Sequence, residues 1–467
     1  MKISHTLRLL LTICFSCFFL LPTEATHLRG GYITYTMSDQ NPRSFHFEMV
    51  IFRDVHGVGT ESEPTVNTGL GSETVLAAPV SRTLIGDQTE KIIYSWTYTY
   101  PADGTYTVSW SGINRNNNII NVAQPSEQHS MVLQTTLTVS SLNPDRNGIK
   151  YLTPSSTDAY VGVPFKYNLQ AFDADGDSLT YTLVSPYRLS STGSIIPLPG
   201  YSIPQGLAIN PFGEISWPEP TQKGEYTLAV QVKAYRNERL VSSSINDLQI
   251  LVREVPESPE ITLTNSNGLI VSSAGYILAR PGLPLKLSLF VRNPSEKVLQ
   301  VLASVTELQE PHLADQSSLQ VTERDSAGGI VKEIIFTPDN SLRRGWPYAL
   351  SLRGELQTLE NGVTAYKREF VYLLVADQLS NSLPDLLPEL AHLLYPNPAG
   401  SHFMLEAPAA SGAVFRLYAL DGRLVQELAL QPGRNRVARP SGLSTGLYIY
   451  SISSEGYRSR TGKLLLE

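Results

Sequence analysis

The sequence predicts an all-β protein made of several sandwich domains in tandem. Three observations carry this. Apolar residues recur at every second position in stretch after stretch, as in Phe45, Phe47, Met49 and Ile51, which is the period of a half-buried strand. No stretch of useful length shows helical periodicity. Turn signals such as Asp103-Gly104, Asn293-Pro294 and Pro338-Asp339 punctuate the alternating runs. At 467 residues the chain exceeds one small sandwich, so three or four domains are expected. Charged residues are 17% and the formal charge is −7, which leaves no basic field to hold nucleic acid or anionic lipid. The 23 Tyr against 14 Phe suit half-exposed sheets.

Lys2 and Arg8 precede an apolar run, Leu9 to Leu21, and Thr23-Glu24-Ala25 ends on a small residue. Residues 1–25 therefore read as a cleaved secretory signal peptide, the run being short for a membrane span. The two cysteines, Cys14 and Cys17, lie inside it. Cys17 follows Phe15-Ser16, not the small residues of a lipoprotein box. The mature chain is then expected to hold no disulfide, no thiol nucleophile and no thiolate metal site. Loss of Lys2, Arg8 and Glu24 takes the charge from −7 to −8. No later stretch approaches the roughly twenty apolar residues of a transmembrane helix.

A first β domain is expected at 26–142. It holds the strand around Phe45 to Phe52, and a hairpin in which Ile92, Tyr94, Trp96, Tyr98 and Tyr100 return through Pro101-Ala102-Asp103-Gly104 as Tyr106, Val108 and Trp110. That aromatic strand is either a core face or a glycan-stacking face, and strict alternation favours the core. A second domain is expected at 147–256 and a third at 257–377, with strands at Leu285–Val291, Val298–Val305, Val331–Phe336 and Phe370–Val375. Residues 378–392, with two prolines, read as a linker. The last unit, 393–467, opens on Tyr395-Pro396-Asn397-Pro398, through which no helix can run. It continues with short strands, a tight turn at Asp421-Gly422 and its strongest strand at Leu447–Ile452.

Two of these units resemble known families. In the second, Tyr160-Val161-Gly162-Val163-Pro164-Phe165 is followed by Phe172-Asp173-Ala174-Asp175-Gly176-Asp177, Gly213-Glu214-Ile215-Ser216-Trp217 and Gly224 to Val232. This order resembles the cadherin-like, or dystroglycan-type, immunoglobulin-fold domain of bacterial adhesins, and it implies a Greek-key sandwich of about seven strands. In the last unit, Pro396, Asn397, Pro398, Asp421, Gly422, Leu443-x-x-Gly446-x-Tyr448 and Gly462-Lys463-Leu464 occur in order. This resembles the type IX secretion C-terminal sorting domain of Gram-negative bacteria. The resemblance implies transport across the outer membrane by the type IX machinery, removal of the module, and release or attachment to surface lipopolysaccharide. Relatives often finish on a basic residue, whereas this chain ends Leu466-Glu467. The opening Gly30-Gly31-Tyr32-Ile33-Thr34-Tyr35 with Ile51-Phe52-Arg53-Asp54 resembles the N-terminal module of large surface proteins from such bacteria, and no activity comes with it.

Asp173, Asp175 and Asp177 are the candidate metal ligands. Alternate carboxylates in a loop can converge on one hard cation, and Ca²⁺ takes about six to eight oxygens. The loop is no EF-hand, since Ser178 and Val184 stand where that motif needs Gly and Glu. In cadherin-like domains such loops bind calcium, often with another Asp on a late strand. Here that strand reads Gln231-Val232-Lys233-Ala234-Tyr235. The competing reading is an acidic turn bonding its own backbone. His46 with Glu48, and His27, His56 and His129, are weaker metal candidates. His-Glu-x-x-His, phosphate-loop and dinucleotide motifs do not occur, and there is no Gly-x-Ser-x-Gly elbow: Gly442-Leu443-Ser444-Thr445-Gly446 leads into a strand, where the elbow needs a helix. The reading is an exported, non-catalytic surface protein with an adhesive, structural or binding role toward a glycan or protein. The alternative is a secreted hydrolase or glycan-binding accessory, since paired carboxylates need no local motif.

Overall fold

A computed structural model describes residues 27–467 apart from 58–61, 86–87, 143, 255–256, 273, 295–297, 305, 310–316, 358–363, 379–392, 396, 408–412, 420–422, 432, 441 and 454–459. The expected signal peptide, nearly all of the expected linker, and Pro396, Asp421 and Gly422 lie outside the described residues. What is described is all-β: 34 strands and three single-turn 3₁₀ helices. No described helix is long and apolar enough to cross a membrane.

The first two expected domains are not separate beads. They share one 12-stranded sheet. Its main path runs Thr74–Leu76, Thr65–Asn67, Gly104–Gly112, Met131–Val139, Arg239–Arg253, Leu28–Ser38, Asn41–Asp54, Thr89–Thr99 and Ala78–Ile85. The 15-residue strand Arg239–Arg253 is the splice. One flank pairs along its whole length with Gly224–Arg236. The other flank is divided: 242–245 pair with Met131–Val139, Asp247 pairs with Gly31, and 249–253 pair in parallel with Ser156–Tyr160. A division at 142–147 therefore separates residues that the backbone ladder keeps together. The cause is strand length. At about 3.3 Å per residue this strand outruns a single small sandwich, and its far end must be covered by a second one.

Two glycines make the splice fit. A Cβ on Gly30 would strike the carbonyl oxygen of Asp247 and sit 2.6 Å from that of Ser155, and one on Gly31 would strike the carbonyl of Val50. Side-chain chemistry then locks it. Arg115 donates through Nη1 and Nη2 to both carboxylate oxygens of Asp247, at 3.0 and 2.5 Å, and both residues are about 1% exposed. Asn121 spans the same seam, donating to the Thr227 carbonyl at 2.8 Å and accepting the Thr227 N–H at 3.0 Å.

The aromatic strand is core. Ile92, Tyr94 and Tyr100 are buried, and Trp96 stacks on Phe47 with centroids 5.2 Å apart. These rings pack with Ile33, Phe45, Met49 and Ile51, so they offer no stacking face for a glycan. The second unit's core around Tyr167, Ile215, Trp217, Leu228, Val230 and Ile250 also takes in Tyr32, Val50 and Phe52 of the first.

The third unit is a sandwich of two four-stranded sheets, closed over Leu287, Leu289, Phe336, Leu350, Leu352 and Leu373. It is fastened to the second. Tyr372 donates to Glu214 Oε2 at 2.7 Å and accepts from Asn168 Nδ2 at 3.2 Å, and its ring stacks on Phe212. Lys166 meets Glu369 at 2.5 Å. The last unit pairs a three-stranded sheet with a four-stranded one over Phe403, Leu405, Phe415, Leu417, Tyr450 and Ile452.

Candidate functional site: an aspartate cluster and a sorting module

The acidic loop joins the short strand Ala171–Phe172 to Ser178–Val184. Gly176 takes φ +85°, and its N–H reaches the Asp173 carbonyl at 3.1 Å. Asp173 Oδ1 accepts the N–H of Asp175 at 2.8 Å, the side-chain-to-backbone bond that an Asx turn supplies. Part of the loop is thus the self-bonding turn. The rest reaches outward. Asp175 accepts the N–H groups of Arg146 and Asn147 at 2.7 and 3.2 Å and the Asn147 side chain at 2.6 Å.

Two residues not singled out in the sequence complete the cluster. Arg236 ends the strand Gly224–Arg236 and clasps Asp177 through Nε and Nη2, at 2.8 and 2.7 Å. Its Nη2 also reaches Asp175 at 3.0 Å and lies 3.7 Å from Asp145 Oδ1. Asp145 precedes the second unit and accepts the hydroxyl proton of Tyr35 from the first strand. The cluster therefore sits where the first two units meet. The position where an extra Asp was sought, just before residue 236, leads instead into a positive charge. Asn143-Pro144-Asp145-Arg146-Asn147 was the available signal: a polar connector with a carboxylate one element away from the loop.

The electrostatics are unbalanced. Asp145, Asp173 and Asp177 are 2%, 6% and 4% exposed. Four carboxylates face one guanidinium. Burial, and then Asp145, Asp177 and Asp175 together, push the Asp173 carboxyl up to about 8. Burial, with Asp175 and Asp177 adding to it, pushes Asp145 up to about 7 against the opposing Tyr35 hydrogen bond. Arg236 is held charged more firmly than usual, first by its hydrogen bond to Asp177. Asp145 Oδ1 and Asp173 Oδ2 are buried with no hydrogen-bond partner, a costly state for a carboxylate oxygen. Oxygens of Asp145, Asp175 and Asp177 lie within 4.8 Å of one another, a spread that two Ca–O bonds of about 2.4 Å can bridge. The donor set, the excess charge and the unmet oxygens fit a hard divalent cation beside Arg236. Among the described residues this is the one such group of three; it takes Asp145 in place of the expected Asp173 and includes none of His27, His46, Glu48, His56 or His129.

In the sorting module the motif residues do folding work. Asn397 donates to the Lys463 carbonyl at 2.8 Å and accepts the Leu465 N–H at 2.9 Å, tying the start of the module to its last strand. Gly446 has φ +148°. Tyr448 is buried, and its hydroxyl bonds the Ser444 carbonyl at 2.9 Å. A Cβ on Gly462 would drive into the Tyr450 ring, 2.7 Å from Cε1. Of the described motif residues, Asn397, Pro398 and Lys463 are exposed, and of these three only Lys463 lies on the four-stranded sheet.

Comparison with known proteins agrees with both resemblances. Residues 147–246 match the family described as "Putative Ig domain", and residues 393–467 match "Secretion system C-terminal sorting domain". No curated protein matches the chain. Among solved structures, the major pilin subunit BcpA of Bacillus cereus is 12% identical, covering 66% of this chain and 92% of that one at a TM-score of 0.19. The zebrafish RET cadherin-like domains 1 to 4 are 10% identical, covering 95% and 97% at a TM-score of 0.16. Likenesses at these scores carry no argument. The chain thus bears a type IX secretion sorting domain behind immunoglobulin-like β domains, and the sorting domain marks it for export to the cell surface or beyond.

Proposed function

We propose that this chain is a non-catalytic surface protein whose first three units form a stiff binding or adhesive body, delivered by residues 393–467 and stabilised by calcium at the aspartate cluster. The observation that carries the export half is the sorting-domain match over a module with a core of its own. The calcium half rests on the two buried, unpartnered carboxylate oxygens of Asp145 and Asp173. Asp145, Asp175 and Asp177 would hold the ion, with Asp173 beside them, and the ion would supply positive charge and linkage and no chemistry. Residues 1–25 act in this reading as the signal for the first membrane. Lipopolysaccharide remains the attachment partner the module implies.

Transplantation tests the export half. Residues 393–467 fused behind a folded periplasmic reporter, in a bacterium with type IX secretion, should bring the reporter within reach of added protease on intact cells. A fusion that stays protected in the periplasm sinks the reading. For the cation, calorimetric titration of the full chain with calcium should show one site, lost in Asp175→Asn.

A further inference from the structure

The outward face of the module's four-stranded sheet carries an apolar patch that folding does not explain. Along the strand Gly446–Ser453, Tyr448, Tyr450 and Ile452 point into the core while Leu447 and Ile449 point out. Leu447 is paired with Leu465 on the last strand, and Ile449 with Lys463. On the other side Ile449 faces Tyr418, which faces Leu424. Residues directly opposite in an antiparallel pair share a face, so these side chains form one continuous surface across all four strands. Leu424, Leu447 and Leu465 are 48%, 38% and 39% exposed with the rest of the chain in place. A lone exposed leucine is ordinary, whereas a contiguous set marks an interaction surface.

We propose, building on the sorting reading, that this face is the docking surface for a protein of the secretion machinery that presents an apolar patch ringed by carboxylates. Charge selects that occupant. Residues 393–467 carry eight Arg or Lys against five Asp or Glu. Arg434 and Arg436 lie on the other sheet, and on this one Arg416 pairs with Glu427, so among the described residues the charges that bear on the patch are Lys463 and Arg423. Lys463 stands inside the patch and exposed Arg423 beside Leu424. A second copy would set Lys463 against its own like charge in a closing apolar contact, which is costly. Gly446, Tyr448 and Gly462 shape the module from within and Asn397 ties its opening to the last strand, while Lys463 is the motif residue that stands on this face.

The test uses the full chain in a bacterium with type IX secretion, measuring the surface-exposed fraction. Leu447→Lys with Leu465→Lys should lower that fraction about ten-fold, the equivalent of about 1.4 kcal/mol of docking free energy. Ala438→Lys, exposed on the opposite sheet, should leave it unchanged. Calorimetry of each purified chain checks that the module still unfolds at its usual temperature. Should the double variant unfold the module, Lys463→Glu, a change on an exposed side chain, must produce the same export loss. Wild-type export of the folded double variant overturns the proposal. So does binding of the purified chain to anionic phospholipid vesicles that the double variant abolishes, since the occupant would then be a bilayer. If removing 393–467 entirely leaves export intact, the sorting reading itself fails, and that result is distinct from a failure of this face alone.

Discussion

Asp173 and Asp145 are carboxylates that burial and mutual repulsion keep protonated to about pH 8 and 7 without a cation. Their folded pKa values lie above the ordinary carboxylate value, so the folded state binds the extra protons. Their contribution to stability is complete below about pH 4 and is lost as pH rises through the folded values. In chelator, the cargo's unfolding temperature should therefore fall between about pH 4 and pH 8. Millimolar calcium should remove most of that fall, because the ion needs the ionised forms, and its affinity should rise over the same range. Thermal scans across pH with and without calcium check this. Asp173→Asn should flatten the chelator curve and shrink the calcium shift. Arg236→Met leaves Asp177 buried without its bidentate partner and should cost about 3 kcal/mol in chelator, with the deficit narrowing in calcium. Denaturant titration of the two proteins reads it. Only part of this site was legible in the sequence. The Asp173-x-Asp175-x-Asp177 spacing was local and visible. Asp145 lies 30 residues before Asp175, and Arg236 lies 59 after Asp177, and no spacing rule links such positions.

At the scale of elements, the strand Arg239–Arg253 does what no single-domain reading anticipates. Ser242-Ser243-Ser244 and Asn246-Asp247 interrupt its apolar residues, and which neighbours flank it is a matter of tertiary pairing. Gly30-Gly31 entered the sequence reading only as part of a resemblance, and its reason, close approach to the Asp247 and Val50 carbonyls, appears only in three dimensions. Gly30→Ala should open this seam and destabilise the first two units together, by about 3 kcal/mol if the backbone yields. Gly462→Ala should act only on the sorting module, since its clash is with Tyr450. Limited proteolysis distinguishes them: the first variant releases fragments from the cargo, the second from the C-terminus. The alternating aromatic strand around Trp96 was the most legible element, because a strict period of two puts one face of the strand in the core.

For the whole molecule, the seam at Arg115–Asp247 and the contacts of Tyr372 with Glu214 and Asn168 couple the three cargo units. The sorting module has a separate core. Calorimetry of the full chain should show the cargo unfolding as one cooperative transition and the module as another. Arg115→Ala, which strands a buried carboxylate, should lower the cargo transition alone, by about 3–5 kcal/mol in stability. The all-β class and the sorting tail were legible because each rests on local pattern. The fusion of the first two units was not, because the connector at 142–147 has the composition of a linker and yet joins units that share a single sheet. The most direct measurement is cell fractionation with intact mass analysis, comparing the full chain with one ending at Leu390. The account predicts that the full chain reaches the surface with its module removed and that the shortened chain stays in the periplasm. Equal arrival of both at the surface would contradict it.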